Sequence, residues 1–163
     1  MILVDSSVWF DFFSSSPGRA GGELRRMIAD AEPFALTGVV VPDVLQGLTR
    51  DSLRIERYLA QWDMLEPRGF ATYQEAAAIY RAARGRAISL TTIDTLIAAI
   101  ALEHSSSVFT LDEDFSRIAR ITRLALYRFS CGWRRDGGCY DTTSVFQVRP
   151  VLLREVRQRM RQL

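Results

Sequence analysis

Short apolar runs alternate with helical stretches through residues 1–127, and this alternation constrains the fold more than any other feature of the chain. Residues 1–5 form an apolar run closed by a carboxylate and read as a buried strand. Residues 6–13 read as a short helix, broken by Ser14-Ser15-Ser16-Pro17-Gly18, and residues 19–30 as a second helix. The next strand is expected over 34–37. Residues 39–50 are ambiguous by themselves, because Val39-Val40-Val41 favours a strand. Pro42 suits a first helical turn, however, and Val44, Leu45 and Leu48 follow at helical spacing. A helix over 52–63 precedes a strand or turn over 64–67. Residues 70–84 are rich in Ala, with Tyr73, Ala76, Ala77, Tyr80 and Ala83 as the expected stripe and Gly85 as a C-cap. Thr91 or Thr92 opens the next helix, whose expected buried face is Leu96, Ile97, Ile100 and Ala101. A strand over 106–111, a helix over 113–119 and a strand over 124–127 complete the series. Strands alternating with helices imply an α/β domain with a mostly parallel sheet.

Composition removes several chemistries. All 21 cations among the 163 residues are Arg, which excludes Schiff-base catalysis, a P-loop and a Lys-assisted phospho-Asp receiver. His104 is the single histidine, so a Ser-His-Asp triad or a multi-histidine zinc site is not expected. No 18 apolar residues run together, so no membrane span is expected. The first five residues lack the basic start of a secretory leader, and a cytoplasmic setting is expected. Carboxylates remain as the abundant reactive groups.

Charge is unevenly spread. Residues 1–127 carry 13 Arg against 16 acids, and residues 128–163 carry 8 Arg against 3. The sequence pI of about 8.8 therefore belongs to the tail and does not argue for nucleic-acid binding by the body. Cys131 and Cys139 also lie in the tail and fall short of a zinc ligand set; a stray disulfide or two free thiols are the alternatives. Residues 130–144 read as a loop. Beyond Pro150, Leu153, Val156, Met160 and Leu163 mark a short basic amphipathic helix. It is either a helix docked on its own domain or a neighbour, or an arm that contacts RNA. The chain is thus read as a 1–127 domain followed by a 128–163 loop and helix of uncertain origin: a natural extension, an altered reading frame or added sequence.

Four acids fall where a parallel sheet would bring them together. Asp5 ends the first strand, Asp43 and Asp94 lie in first helical turns, and Asp112, with Asp114 two residues on, follows the strand over 106–111. In an open parallel sheet, strand ends and helix starts share the edge where ligands bind. Taken singly, Asp5 and Asp112 are candidate N-caps worth about 1 kcal/mol, and Asp94 completes a capping box with Thr91. Asp43 and Asp114 would each gain roughly 0.3–1 kcal/mol from a helix dipole. Taken together, two carboxylates about 4 Å apart repel by about 4 kcal/mol at an effective dielectric near 20, so convergence calls for a cation or shared protons. All-oxygen ligation selects Mg²⁺ or Mn²⁺ over zinc. Such a cation neutralises phosphate oxygens and activates water for attack on phosphorus, which defines a metal-dependent phosphodiesterase.

Asp5-Ser6-Ser7-Val8-Trp9, Pro42-Asp43-Val44-Leu45-Gln46-Gly47-Leu48, Ile93-Asp94-Thr95-Leu96-Ile97-Ala98-Ala99 and Thr110-Leu111-Asp112-Glu113-Asp114-Phe115 resemble, in order and spacing, the signature blocks of PIN-domain ribonucleases. The nearest likeness is to VapC-like toxins of bacterial toxin–antitoxin pairs. The resemblance implies a three-layer α/β/α fold and a Mg²⁺- or Mn²⁺-dependent endoribonuclease acting on RNA, with transfer or ribosomal RNA as the typical targets. It also implies a homodimer and inhibition by a cognate VapB-like antitoxin. By position, Asp5, Asp94 and Asp112 would be metal ligands, with Asp43 in the catalytic set. Asp114 would serve the second shell or a second metal, Ser7 would orient Asp5 or a water, and Thr110 would support Asp112. The family usually has Glu where this chain has Asp43; the missing methylene draws the carboxylate back by about 1.5 Å. An alternative is therefore a weak or inactive PIN-fold protein serving mainly as a dimeric antitoxin-binding partner. Arg81, Arg84 and Arg86 are candidates for meeting RNA phosphates, or a solvated helix end. Trp9 is either a base-stacking or a core aromatic, and Gln46 either lines the site or makes a turn contact.

Overall fold

The computed structural model of this chain describes residues 1–48 and 52–129. The loop expected over 130–144 and the helix expected beyond Pro150 lie outside the described residues. A compact unit spans Met1–Tyr127.

Its elements are β1 (Ile2–Val4), α1 (Ser6–Phe13), α2 (Arg19–Ala29), β2 (Phe34–Leu36), α3 (Val40–Gly47), α4 (Ser52–Leu59), β3 (Asp63–Met64), α5 (Phe70–Arg84), α6 (Thr92–Glu103), β4 (Ser107–Phe109), α7 (Glu113–Ala119) and β5 (Ala125–Leu126). The five strands form one sheet in the order β3-β2-β1-β4-β5, and every pairing is parallel. Helices flank it, as expected of an α/β fold. The strands are shorter than the apolar runs suggested, since the carboxylates and hydroxyls that follow them turn at once into helix caps.

β1 is the central strand. Ile2 faces Phe34 on one side and Ser107 on the other, and Val4 faces Phe109. The pairing continues one step further, with the Asp5 amide donating to the Phe109 carbonyl at 2.9 Å. Leu3, Val4, Leu36, Val108 and Phe109 are completely buried, as in a parallel sheet covered on both faces. Strand order reverses at β1: β2 lies to one side and β4 to the other. The crevice at the carboxyl ends of β1 and β4 is therefore a topological switch point, where ligands of open α/β sheets bind.

Trp9 is fully buried, which settles its two readings in favour of the core. Its ring packs edge-on to Phe12 at 5.6 Å and against Phe34 and Tyr58 at 6.2 and 6.3 Å. Burying a side chain of this size stabilises by roughly 1.5–3 kcal/mol.

Two helical faces differ from the sequence expectation. On α5 the buried stripe is Thr72, Ala76, Ile79 and Ala83, whereas Tyr73 is half exposed and Ala77 faces outward. The stripe is rotated by about one residue, because Thr72 is drawn inward by its hydroxyl bond to Glu103 Oε2 (2.9 Å). On α6 nearly the whole C-terminal two-thirds is buried, including Ala98 and Ala99, while Leu96 is only half-buried. A helix packed on more than one side loses the clean stripe of a surface helix.

The unit closes through a polar cluster. Tyr127 donates its hydroxyl to Glu23 Oε1 at 2.7 Å. Arg26 holds the same carboxylate at 2.9 Å, with Asp30 at 2.8 Å and Glu32 at 2.6 Å. Bonding to Arg26 pulls the Glu23 carboxyl below its usual range, and burial with the Glu23 bond pushes the Tyr127 phenol up. No helix among the described residues is long and apolar enough to cross a membrane.

Candidate active site

A pocket of about 150 Å³ opens at the switch point. Asp5, Asp43, Asp94 and Asp112 all contribute to its wall, together with Ser6, Ser7, Phe10, Val39, Val40, Ile93 and Ile97. At roughly 30 Å³ per water, this space holds an ion with a few waters rather than a nucleotide. A polymeric substrate would have to lie across its mouth.

Each of three carboxylates is pinned through one oxygen. Asp5 caps α1 and is 4% exposed. Its Oδ2 accepts from Ser7 Oγ at 2.6 Å, Thr110 Oγ1 at 2.9 Å and the Ser7 amide at 3.4 Å, whereas Oδ1 takes a long bond from Ser6 Oγ at 3.5 Å. Burial raises the Asp5 pKa above its ordinary 3.8, and the bonds from Ser7, Thr110 and Ser6 offset part of that rise. Asp94 sits in the capping box expected with Thr91: its Oδ2 accepts from the Thr91 hydroxyl at 2.6 Å and amide at 3.1 Å. Asp112 caps α7, its Oδ1 accepting from the Asp114 amide at 2.9 Å. Asp5, Asp94 and Asp112 thus take part in helix caps and line the pocket at once. A cap uses one oxygen of a carboxylate and leaves the other.

Ser7 and Thr110 knit the turn after β1 to the turn after β4. The Leu111 amide donates to Ser7 Oγ at 3.0 Å, and the Asp112 amide to Thr110 Oγ1 at 2.9 Å. Both hydroxyls pass on a bond to Asp5 Oδ2. Thr110 therefore touches both acids, through the Asp112 backbone and the Asp5 side chain.

The remaining candidates are placed as follows. Asp43 lies in the first turn of α3, exposed at the pocket wall. Asp114 does not line the pocket; it forms an ion pair with Arg117 at 2.6 Å. Arg81, Arg84 and Arg86 are exposed around the end of α5 and also lie outside the lining. Gln46 is exposed and is not part of the wall.

Phe10 and Ile93 are pocket residues that the sequence did not single out. Apolar side chains beside acidic blocks carry no chemical signature, and only their neighbours in sequence pointed there. Phe10 reaches the wall because Gly47 has no side chain: a Cβ there would come within 2.7 Å of the ring at Cζ.

The donor chemistry, all oxygen and nearly all carboxylate, fits a hard divalent cation. In the geometry described, no three His, Cys, Asp or Glu side chains among the described residues are drawn close enough to form a ready ligand cluster. Asp5 Oδ2 is held chiefly by the Ser7 and Thr110 hydroxyls, Asp94 Oδ2 by Thr91, and Asp112 Oδ1 by the Asp114 amide.

Comparison with known proteins gives a consistent result. The family model of the PIN domain matches residues 2–121. VapC ribonuclease Mb1587 of Mycobacterium bovis is 34% identical over 133 residues, which cover 79% of this chain and 99% of that protein. Ribonuclease VapC11 of Mycobacterium tuberculosis matches with the same identity and coverage. Among solved structures, VapBC2 of Rickettsia felis bound to a promoter DNA fragment superposes with a TM-score of 0.63 at 14% identity, over 80% of this chain and 100% of that one.

Proposed function

This chain belongs to the PIN-domain family and to its VapC ribonucleases, and from that membership we propose that it is a toxin ribonuclease that hydrolyses RNA phosphodiesters with Mg²⁺ or Mn²⁺ at the acidic pocket. The observation that carries this reading is the convergence of Asp5, Asp43, Asp94 and Asp112, from four separate segments, on one pocket at the sheet's switch point. A buried carboxylate such as Asp5 has little reason to stay charged without a cation beside it.

Asp5, Asp94 and Asp112 would hold the cation. When bound, the cation supplies charge neutralisation for the scissile phosphate and lowers the pKa of water. Asp5 offers Oδ1, because Ser7 and Thr110 occupy Oδ2. Asp94 and Asp112 would turn their uncapped oxygens to the same point. Asp43 would take part from the far wall with its shortened reach. Asp114, held by Arg117, would act from behind the pocket wall by fixing its own amide, which donates to Asp112 Oδ1. Arg84 and Arg86 would meet the RNA backbone outside the pocket, where the small volume leaves the polymer. The proposed partners are a VapB-like antitoxin and a second copy of the chain, and the proposed setting is the cytoplasm.

A second reading has two observations in its favour: Asp43 stands where the family usually has Glu, and the other three acids are committed to caps. On that reading the protein binds its antitoxin as a dimer and turns over poorly. Incubation of total RNA with the purified chain and Mn²⁺, beside EDTA and Asp5→Asn controls, separates the two. Metal-dependent cleavage lost in both controls is expected. Cleavage that survives EDTA or Asp5→Asn overturns the nuclease site as drawn, and no cleavage at saturating Mn²⁺ selects the second reading.

A further inference from the structure

Thr91 makes three contacts with one residue of the pocket. Its hydroxyl donates to Asp94 Oδ2 at 2.6 Å, its amide donates to the same oxygen at 3.1 Å, and its hydroxyl oxygen accepts the Asp94 amide at 3.1 Å. We propose that Thr91 is a positioning residue for the cation site, fixing Asp94 so that Oδ1 alone is offered to the ion. This rests on the reading of the pocket as a divalent-cation site.

The chemistry of the pair supports more than a helix cap. A capping box ordinarily carries Glu or Gln at the third helical position, whose longer arm reaches back to the N-cap amide. Asp94 is one methylene shorter, and here the N-cap hydroxyl itself closes the distance to its carboxylate. A hydroxyl has one proton, and that proton is spent on Asp94 Oδ2, so the hydroxyl is locked in orientation by the same residue it holds. With two donors on Oδ2, the carboxylate cannot rotate without breaking both bonds, which leaves a single rotamer and a single oxygen, Oδ1. Thr91 is itself exposed, so these bonds are not needed to satisfy a buried group. A cap alone could be supplied by glycine at small cost, because the backbone amides and carbonyls of the first turn remain. The charge-assisted bond from hydroxyl to carboxylate cannot be supplied that way.

Full-length Thr91→Gly, Thr91→Ser and Asp94→Asn are compared with the parent by calorimetric Mn²⁺ titration and by thermal melting without metal. Asp94→Asn is expected to abolish binding. Thr91→Gly is expected to weaken Mn²⁺ binding by about 10-fold, as for other groups that orient metal ligands, with a melting temperature near the parent's. Thr91→Ser, which keeps the hydroxyl, should restore affinity to within about twofold on the same principle. Should the glycine variant melt early, titration at a temperature well below its melting point, with the fold checked by circular dichroism, should show the same weakening. Unchanged Mn²⁺ affinity in a folded Thr91→Gly protein, alongside loss in Asp94→Asn, reduces Thr91 to a cap and overturns the proposal alone. Unchanged affinity in Asp94→Asn, or no binding by the parent, overturns the cation site at Asp94 and this proposal with it.

Discussion

Thr110 donates its hydroxyl to Asp5 Oδ2 across 2.9 Å, joining the ends of two neighbouring parallel strands that are 105 residues apart in sequence. The Thr110 hydroxyl oxygen in turn accepts from the Asp112 amide at 2.9 Å. One hydroxyl thus sets the relation between the most buried acid of the pocket and the start of α7.

Replacing that hydroxyl by a methyl group of the same shape tests how much the relation is worth. Thr110→Val leaves the buried Asp5 Oδ2 short of one donor, a loss of about 1–3 kcal/mol, while the exposed Asp112 amide turns to water. Urea denaturation should register this, and cleavage should fall with it. Thr110→Ser should recover most of both. Parent-like stability in Thr110→Val would show that the bond is dispensable.

Asp5 gives a pH-dependent stability of known sign. Its folded pKa lies above 3.8 because burial disfavours the charged form. Below 3.8 both folded and unfolded chains carry the proton and nothing is lost. As pH rises through the folded pKa, the folded chain must release a proton it held more tightly than the unfolded chain did, so stability falls. Asp5→Asn keeps a carbonyl oxygen for Ser7 and Thr110 and carries no charge. Without divalent metal it should melt above the parent at pH 7, and the gap should close in acid. Adding Mn²⁺ reverses the order: a parent saturated at about 100 times its Kd gains about 2.7 kcal/mol, and the variant should gain almost nothing. A lower metal-free melting temperature for Asp5→Asn at pH 7 would contradict this assignment.

Position 43 bears on activity rather than on folding. Asp43 is exposed at the pocket wall, so a longer side chain meets no packing constraint. Asp43→Glu should raise cleavage at limiting Mg²⁺ and leave the melting temperature within a degree or so, as surface substitutions worth under about 0.5 kcal/mol do. Superimposable activity curves across a Mg²⁺ titration would mean that the shorter arm already reaches as far as it needs to.

Gly47 and Phe10 provide a test of the apolar wall. Any side chain at position 47 must push the Phe10 ring, which lines the pocket. Gly47→Ala should raise KM for RNA more than it lowers kcat, with modest loss of stability. A change confined to stability would remove Phe10 from the substrate surface.

The body can be tested apart from its tail. Tyr127 is the last residue of the compact unit and is tied to Glu23 on α2. A chain ending after Arg128 keeps that tie and all four acidic segments, and should fold and cleave. It also lacks seven of the eight Arg of residues 128–163, so its affinity for RNA should depend less steeply on salt. An insoluble truncation would show that the tail is part of the fold. Tyr127→Phe should cost about 0.5–1.5 kcal/mol, the net worth of one such bond.

Much of this was legible in the sequence because strand ends in an open α/β sheet are marked by local chemistry. An apolar run that stops at Asp5, or at Thr110-Leu111-Asp112, announces both a strand and the cap of the next helix. Periodicity failed where tertiary contacts overrode it. Thr72 is buried on α5 because Glu103 engages it, and Tyr73 is exposed although it is the more apolar residue. Phe10 and Ile93 were invisible as pocket residues for a similar reason: apolar side chains show their role only once the sheet has chosen their neighbours. Spacing in sequence also could not reveal that Asp5, Asp94 and Asp112 each commit one oxygen to a cap, a fact of atoms rather than of residues.

The placement of β1 at the centre of the sheet governs when a nascent chain acquires its pocket. β1 is synthesised first, yet Ile2 pairs with Phe34 on one side and with Ser107 on the other. Asp5 leaves the ribosome before either neighbouring strand exists, and Thr110 and Asp112 follow only after most of the body. At about 5–20 residues per second, several seconds separate the first acid of the pocket from the last. Any fragment that ends before residue 107 has Asp5 without the strand, the hydroxyl and the fourth carboxylate that complete its surroundings. For a chain whose relatives cut RNA, this strand order is a built-in delay: the acidic pocket cannot exist until the chain has been made through Asp112, 107 residues after its first acid.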